Sequence, residues 1–237
     1  MKHIGLIIPS VNTVLENDLR LFLPKEARAH VTRIRLTGTT REQLSRALDA
    51  VPDAASLLAD AGVDAIGLAC TGASMLGGAG GERALSGRIS AAAGVPATNT
   101  VEALLDAFAA MRVNRIALFS PFDDRFNAEE AAMLEAAGVR VVRTVGLAIA
   151  NPRRCANVSP EEIAAQARAA DHPDAEAIFL SCANLRGLEA AAALEGAIGK
   201  PVITSNGAVL WAMLRLAQVE SRVAAAGRLF DMQEEFA

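Results

Sequence analysis

The chain has 237 residues, 52% of them hydrophobic and 21% charged, which is typical of a folded globular protein and excludes a disordered or fibrous chain. Its 23 basic and 27 acidic residues give a net charge of -4, so no basic excess is available to bind nucleic-acid phosphates. No apolar run approaches the roughly 18–20 residues that cross a bilayer, and the first residues form no secretory signal, so we expect a cytoplasmic protein without a membrane partner.

Short apolar runs alternate along the chain with longer segments of helical spacing. The predicted strands are residues 4–8, 31–37, 65–69, 97–98, 115–120, 139–145, 177–181 and 202–204. The predicted helices include residues 41–61, 101–111, 127–137, 160–170, 188–198 and 209–218. Gly62, Gly94, Gly138 and Gly199 fall where a helix should stop before the next strand. This alternation predicts an α/β fold whose parallel sheets carry helices on both faces.

The two halves of the chain resemble each other at a constant spacing. Residues 4–9 align with residues 116–121, and residues 64–70 align with residues 176–182, each pair 112 residues apart. A third pair, residues 94–99 and 199–206, follows at a slightly shorter spacing. Three matches in the same order predict a duplicated unit of about 110 residues.

The duplication predicts two pseudo-symmetric three-layer αβα units with a ligand site in the cleft between them. We place the first unit at residues 1–113 and the second at residues 114–237. We also consider that residues 205–237 pack back on the first unit. The Ala-rich segments at residues 190–193 and 224–226 would permit close self-packing, which leaves a homo-oligomer open.

Cys70 and Cys182 take equivalent positions in the repeat, each directly after an apolar strand. Ligands of open α/β sheets bind beyond the carboxyl ends of the strands, so the symmetry predicts two thiols that face one cleft. Such a pair can remove a proton from one face of a carbon and return one to the other face. We expect a helix N-terminus to lower the pKa of each thiol. A lone free cysteine usually just packs, but the duplication favours a catalytic role.

Residues beside the two cysteines are candidates to bind a substrate carboxylate. Backbone N–H groups for this purpose come from Thr71, Gly72, Ala183 and Asn184. Thr13 and Asn12 add a hydroxyl and an amide. Asn12 and Ser10 follow a turn, where such residues also cap helices, so both roles stay open for them.

The remaining polar candidates point to structural roles. Cys155 lies in an irregular stretch without a counterpart in the first half, and we interpret it as an incidental thiol. Asn99 and Asn206 each follow the fourth strand of a unit and are predicted to cap helices. The three cysteines form no CxxC pair and no histidine pairs with one of them, so we predict no metal and no cofactor.

Several of these segments together carry a family resemblance. They are the Pro-Ser-Val-Asn-Thr-Val-Leu-Glu opening at residues 9–16, the strand ends at residues 70–71 and 181–182, the Ser-Pro-Phe at residues 120–122 with Asn127, and residues 227–230. They resemble the aspartate/glutamate racemase superfamily, and within it the branch of maleate cis-trans isomerase and arylmalonate decarboxylase. The match runs over nearly the full length.

The resemblance implies a cofactor-independent isomerase that acts on a small carboxylate. It gives Cys70 the role of acting on the alkene carbon and Cys182 the role of the opposing acid or base. It also implies that Asn12 holds a substrate carboxylate and that either Asn151 or Asn157 binds substrate.

One position departs from the family pattern. The family usually has a tyrosine where this chain has Phe122, and the chain contains no tyrosine at all. The loss of one charge-assisted hydrogen bond costs about 1.5–3 kcal/mol. Therefore either another donor, such as Arg186, replaces the phenol, or the substrate lacks that second carboxylate.

Three other functions stay open beside the isomerase. A two-base amino-acid racemase of the aspartate/glutamate type, or a hydantoin racemase, would use the same two thiols without a covalent adduct. An arylmalonate-type decarboxylase needs only Cys182, since those enzymes have glycine at the position of Cys70. The fold could also serve a non-catalytic carboxylate-binding protein, because fold alone does not prove chemistry.

Overall fold

The computed structural model describes residues 1–78, 80–220 and 223–232. Two four-stranded parallel sheets form its frame. The strands are β1 (Lys2–Pro9), β2 (Ala27–Ile34), β3 (Ala65–Leu68), β4 (Ala97–Asn99), β5 (Arg115–Ser120), β6 (Arg140–Gly146), β7 (Ala177–Leu180) and β8 (Val202–Thr204). The helices are α1 (Leu15–Phe22), α2 (Arg41–Asp49), α3 (Val51–Asp60), α4 (Thr71–Ser74), α5 (Gly81–Ala93), α6 (Thr100–Ala110), α7 (Asp124–Ala136), α8 (Pro160–Ala167), α9 (Gly187–Ile198) and α10 (Ser205–Leu216).

The two sheets have the same strand order, β2-β1-β3-β4 in the first and β6-β5-β7-β8 in the second. Their registers also match, because Ile4 pairs with Ala65 in the first sheet and Ile116 pairs with Ala177 in the second. The predicted α/β fold with two pseudo-symmetric parallel sheets is therefore confirmed.

Buried side chains divide into two outer clusters and one shared cluster. The first outer cluster joins α2, α3 and α5 to the first sheet, and the second joins α8 and α9 to the second sheet. The shared cluster joins α1, α6, α7 and α10 to both sheets. Alternate residues of β1 serve different clusters, since Leu6 faces the shared cluster and Ile7 faces the outer one. Each sheet is thus covered on both faces.

Helices α6 and α10 cross between the halves. Helix α10 begins directly after β8 yet packs on β3 and β4, and α6 begins directly after β4 yet packs on β8 and α10. Gly67 in β3 allows this approach, because a Cβ there would lie 2.9 Å from Sδ of Met213 and 3.2 Å from Cγ1 of Val209. Residues of α10 are therefore part of the core of the first half.

The eight predicted strands are all present, and β2 begins four residues earlier than predicted. The predicted helix at residues 41–61 is wrong as one element, because the chain breaks at Ala50 between α2 and α3. Pro52 lies in the first turn of α3, where no hydrogen bond from its backbone nitrogen is needed. One continuous helix over α2 and α3 would need that hydrogen bond, so the chain breaks before Pro52. Helices α1, α4 and α5 were not among the predicted ones. The four glycines predicted to end helices all have positive φ.

In the part of the chain that the structure describes, no helix is long and apolar enough to cross a membrane.

Candidate active site

The carboxyl ends of strands from both sheets meet at one narrow cavity of ≈ 60 Å³. Its lining consists of Pro9, Val11, Asn12, Leu36, Thr39, Leu44, Cys70, Thr71, Gly72, Phe122, Phe126, Pro152, Cys182, Ala183 and Asn184. Cys70 comes from the end of β3 and Cys182 from the end of β7, so each sheet contributes one thiol to the same cavity.

Cys70 lies between β3 and the short helix α4 with an extended backbone, and it is 5% exposed. Burial raises the pKa of its thiol to about 11, while a hydrogen bond from the backbone N–H of Ala73 acts in the opposite direction. The expectation that a helix N-terminus lowers this pKa is therefore wrong, because desolvation of the thiolate raises the pKa more than the hydrogen bond from Ala73 lowers it.

Cys182 adopts a backbone conformation that is rare for a residue with a side chain, with φ of 100°. Its N–H donates to Oγ of Ser205 at 3.0 Å, and its Sγ accepts from the N–H of Asn184 at 3.4 Å. Strained backbone of this kind persists where the surroundings hold it in place, and it often occurs at active sites. These two hydrogen bonds restrain Cys182 at its backbone N–H and at its sulfur.

Ser205 connects the two cysteine segments. Its Oγ accepts from Oγ1 of Thr71 at 3.0 Å as well as from the N–H of Cys182. Thr71 directly follows Cys70, so one buried hydroxyl joins the strand ends of the two halves. The sequence pattern does not point to Ser205, although its place at the start of α10 after β8 follows from the repeat.

Cys155 is a third thiol at this site, although the sequence pattern indicates only an incidental cysteine. It lies in a 3-10 helix at Pro152–Asn157, is 1% exposed and does not line the cavity. Its interaction with Cys182 lowers the pKa of Cys155 and raises the pKa of Cys182 well above the usual thiol range. Spacing in the sequence could not reveal this interaction, because Cys155 has no counterpart in the first half.

Asn12 combines the two roles that the sequence leaves open. Its Oδ1 accepts from the N–H groups of Val14 and Leu15, both at 3.0 Å, and so caps the start of α1. Its Nδ2 donates to the carbonyl of Ala183 at 2.8 Å, across the boundary between the halves. Asn12 lines the cavity at the same time.

Asn184 and Asn206 stabilise the segment around Cys182. Asn184 accepts from the N–H of Thr13 and donates to the carbonyl of Pro152, both at 2.9 Å. The predicted cap role of Asn206 is wrong, because Oγ1 of Thr204 caps α10. Asn206 instead donates to Oδ2 of Asp18 at 2.7 Å and to the carbonyl of Ala183 at 3.1 Å.

Asn99, the counterpart of Asn206 in the first half, does cap a helix as predicted. Its Oδ1 accepts from the first N–H groups of α6.

Apolar side chains form the wall of the cavity on the side of Phe122. Its ring packs on that of Phe126 with centroids 4.1 Å apart, and Leu36 and Leu44 lie on the same cavity. Gly72 allows Leu44 and Phe126 to pack closely against its backbone, since a Cβ there would lie 3.3 Å from both side chains. A ligand on this side of the cavity therefore meets hydrocarbon.

Three predicted binding residues do not reach the cavity lined by the cysteines. Ser10 is exposed, and its hydroxyl donates to the carbonyl of Leu36 and accepts from its N–H, both at 3.1 Å. Asn151 and Asn157 are exposed and line a neighbouring cavity of ≈ 670 Å³. Asn151 caps the 3-10 helix there through the N–H of Arg153. Their placement therefore gives no support to direct contact with a ligand between the cysteines.

Arg186 is paired within its own helix region. Its guanidinium donates two hydrogen bonds to the carboxylate of Glu189, at 2.8 and 2.9 Å. It does not line the cavity of the cysteines, which weakens its candidacy as a substitute anion partner. Within residues 1–78, 80–220 and 223–232, no group of three or more His, Cys, Asp or Glu side chains is arranged to hold a metal ion.

The fold and this site define a class of protein with two pseudo-symmetric α/β halves and one thiol from each half at the cavity between them. The family model for arylmalonate decarboxylase matches residues 4–230, and the chain belongs to this family. This result confirms the resemblance that the opening motif and the two cysteines carry.

The similar proteins include both maleate isomerases and an arylmalonate decarboxylase. The chain is 30% identical to a maleate isomerase of Pseudomonas putida, covering 98% of each protein. It is also 30% identical to an arylmalonate decarboxylase of Bordetella bronchiseptica, covering 96% of each. Among solved structures, it resembles a mutant of Nocardia farcinica maleate cis-trans isomerase that carries a covalently bound succinylcysteine intermediate, with a TM-score of 0.92, 25% identity, and coverage of 98% and 99% of the two chains.

Proposed function

We propose that this protein is a cofactor-independent isomerase of a small unsaturated carboxylate, in which Cys70 and Cys182 act on opposite sides of the substrate. The observation that carries the proposal is that both cysteines, one from each half, line the same cavity. A decarboxylase of this branch would need only Cys182, whereas the presence of Cys70 supports an addition reaction. The covalent succinylcysteine in the Nocardia relative supports the same chemistry.

In the proposed reaction, the thiolate of Cys70 adds to one alkene carbon and a carbon–sulfur bond forms. The π electrons move to the neighbouring carbon and its carboxylate, and Cys182 gives a proton to that carbon. The bond between the two former alkene carbons is now single, and the adduct rotates about it. Cys182 then takes a proton back, the carbon–sulfur bond breaks, and the alkene of opposite geometry leaves.

Asn12 and backbone N–H groups next to the cysteines are the proposed partners of the substrate carboxylate. Asn12 is buried and lines the cavity, and its amide nitrogen carries a second hydrogen besides the one given to Ala183. Hydrogen-bond donors fixed in a low-dielectric cavity stabilise charge that develops during reaction, which is usually the largest catalytic contribution. Thr71, Gly72 and Ala183 also line the cavity, and we propose their N–H groups as further donors.

The single variants Cys70→Ala and Cys182→Ala test this function. With maleate and related alkene carboxylates as substrates, each variant should lose at least about a thousandfold in kcat, because neither thiol has a substitute for its step. The matched control is Ser86→Ala, a buried substitution away from the cavity that keeps both proposed catalytic sulfurs. Full turnover by Cys70→Ala would end the two-thiol proposal.

A decarboxylase of disubstituted malonates is the second candidate, and the apolar wall favours it. Phe122, Phe126, Leu36 and Leu44 offer hydrocarbon to an aryl or alkyl substituent. This reaction needs Cys182 as proton donor but does not need Cys70. An aryl-substituted malonate that is turned over by Cys70→Ala and not by Cys182→Ala would identify it.

A covalent adduct separates the isomerase from a two-base racemase. The addition reaction should yield a thioether adduct on Cys70, whereas a racemase should exchange the substrate α-proton with solvent deuterium without forming an adduct. We also propose a cytoplasmic location, which the three free thiols support, since such thiols persist in a reducing compartment.

A further inference from the structure

One peptide unit connects the carbonyl of Ala183 to the sulfur of Cys182. The peptide bond between Ala183 and Asn184 is trans, so the carbonyl of Ala183 and the N–H of Asn184 point in opposite directions from one plane. This N–H donates to Sγ of Cys182 at 3.4 Å. The groups that fix the direction of the carbonyl therefore also fix the direction of the N–H that reaches the sulfur.

Two side-chain amides fix this carbonyl. Nδ2 of Asn12 donates to it at 2.8 Å and Nδ2 of Asn206 donates to it at 3.1 Å, so each of its two lone pairs has a donor. Both amides are buried, and Asn12 comes from the first half of the chain whereas Asn206 comes from the second. The peptide unit after Cys182 is therefore held by both halves.

Asp18 determines which way the amide of Asn206 faces. Oδ2 of Asp18 accepts from Nδ2 of Asn206 at 2.7 Å, and the carbonyl of Ala183 is an acceptor as well. An amide turned the other way would place its oxygen against two acceptors, so only the observed orientation makes both bonds. Asp18 thus keeps the amide nitrogen of Asn206 directed at the carbonyl.

Neither Asp18 nor Asn206 lines the cavity of the cysteines, and both hydrogens of the Asn206 amide nitrogen are already donated. A ligand in the cavity therefore does not bind to them directly. Their route to the chemistry runs through the peptide unit that follows Cys182.

We propose that Asn206, held by Asp18, is a positioning residue that directs the N–H of Asn184 at the sulfur of Cys182 and so stabilises the thiolate of Cys182. The proposal rests on the proposed role of Cys182 as acid and base. A carboxyl group of the first half then controls a thiol of the second half.

This N–H matters because its surroundings disfavour the thiolate. Cys155, burial and the charge of Cys70 raise the pKa of Cys182, and the N–H of Asn184 acts in the opposite direction. The other titratable groups on the surrounding elements are Asp18 on α1, Glu130 on α7, and Arg186 and Glu189 at the start of α9.

Alkylation of Cys182 by iodoacetamide tests this role without turnover. In this reaction the thiolate displaces iodide and a carbon–sulfur bond forms. Asn206→Leu keeps the approximate size of the side chain and removes both N–H groups. We expect the alkylation rate of Cys182 at pH 8 to fall at least about threefold, with part of the rate kept because Asn12 still donates to the carbonyl.

Peptide mass mapping follows all three cysteines in the same sample and separates positioning from general loosening. A variant that merely loses packing should expose its thiols, so that all of them react faster. The proposal expects Cys182 alone to react more slowly. An unchanged or faster reaction of Cys182 in Asn206→Leu would overturn it.

Asn99→Leu is the matched control, because Asn99 is the buried counterpart of Asn206 and donates to the carbonyl of Glu82 at 2.6 Å and to Oγ of Ser86 at 2.8 Å, away from the cavity. It should leave the reaction of Cys182 unchanged. An equal slowing of Cys182 in Asn99→Leu would contradict the proposal.

Two variants of equal charge test the part assigned to Asp18. Asp18→Asn keeps an acceptor for Asn206, so it should keep most of the alkylation rate of Cys182. Asp18→Leu removes the acceptor and should slow Cys182 as Asn206→Leu does. Equal rates in the two Asp18 variants would show that Asp18 does not direct the amide.

Nitrogen-15 NMR spectra of the natural protein and of Cys182→Ala cover the case in which the Asn206 and Asp18 variants do not fold. Removal of the sulfur should shift the side-chain amide signals of Asn206, because the two groups are joined through one peptide unit, and should leave those of Asn99 in place. Unshifted Asn206 signals would overturn the proposal. None of these measurements involves turnover, so failure of the isomerase proposal is a separate result.

Discussion

Asp18 and Glu130 occupy equivalent positions in the two halves, 112 residues apart, on the helix that follows the first strand of each half. Both carboxyl groups are buried, and burial raises the pKa of each to about 7. Asp18 accepts from Asn206 at 2.7 Å, and Glu130 accepts from Oγ of Ser181 at 2.6 Å. Glu130 therefore bonds directly to the segment that carries Cys182, and Asp18 is connected to it through Asn206, which donates to the carbonyl of Ala183.

The raised pKa of Glu130 predicts how stability changes with pH. A carboxyl whose pKa is higher in the folded state than in the unfolded state favours folding at low pH. This contribution is lost as the pH rises from the unfolded value of 4.5 to about 7. Glu130→Gln keeps an acceptor for Ser181 without the charge, so its stability should be flatter over this range. Above pH 7 the variant should be more stable than the natural protein, by on the order of 3 kcal/mol.

Urea unfolding at several pH values between 5 and 8 measures this difference. Glu129→Gln, at an exposed position on the same helix, is the matched control and should follow the natural protein. A Glu130→Gln variant whose stability falls with pH as steeply as that of the natural protein would contradict the prediction.

Ser205→Ala should reduce both activity and stability. The substitution leaves the buried N–H of Cys182 without its acceptor and removes the bond to Thr71, which costs about 1–3 kcal/mol. The strained conformation of Cys182 then lacks one of its two restraints, so we expect a lower kcat as well. Ser86→Ala is the control, since Ser86 is also buried and accepts a hydrogen bond from Asn99, but away from the cavity. Equal losses of kcat in the two variants would show that Ser205 has no special role.

Asn12→Ala and Asn99→Ala form a matched pair, because both side chains accept from N–H groups at the start of a helix. Each removes a side chain that accepts from the first N–H groups of a helix, so each should destabilise the protein by about 1 kcal/mol. Asn12 also lines the cavity, whereas Asn99 does not, and only Asn12→Ala should raise KM for the carboxylate substrate. Steady-state kinetics and urea unfolding of both variants check this separation.

Phe122→Tyr tests whether a hydrogen-bond donor at the apolar wall improves the binding of a second carboxylate. If a second carboxylate binds at this wall, the new hydroxyl should lower KM for maleate roughly ten- to a hundredfold, which corresponds to about 1.5–3 kcal/mol. Phe126→Tyr places a hydroxyl on the neighbouring ring and should not have this effect. A lower kcat/KM for maleate in Phe122→Tyr would show that the substrate presents hydrocarbon there.

Much of the fold could be predicted from the sequence because its signals are local. Apolar strands, helix-ending glycines and the spacing of 112 residues between Cys70 and Cys182 are all visible in the chain itself. The break at Ala50 also had a local signal in Pro52. Helix α1 was hidden, because its cap residue, Asn12, lies three residues before the first helical residue.

The site was predictable only where the repeat applies. Cys70, Cys182 and Asn12 stand at strand ends or next to them, and the structure brings them to one cavity. Cys155 and Ser205 do not line the cavity but interact with the cysteine segments across long separations in the chain, which no periodicity encodes. The exposure of Asn151 and Asn157 depends likewise on how the 3-10 helix docks on Asn184.

The crossing of α6 and α10 makes the two halves depend on each other. If the chain were cut between residues 113 and 114, Trp211 and Met213 would lose their packing against the first half. Each separate half would then expose apolar surface to water. One half alone would therefore need a second copy to cover this surface, as in a dimer that exchanges a helix.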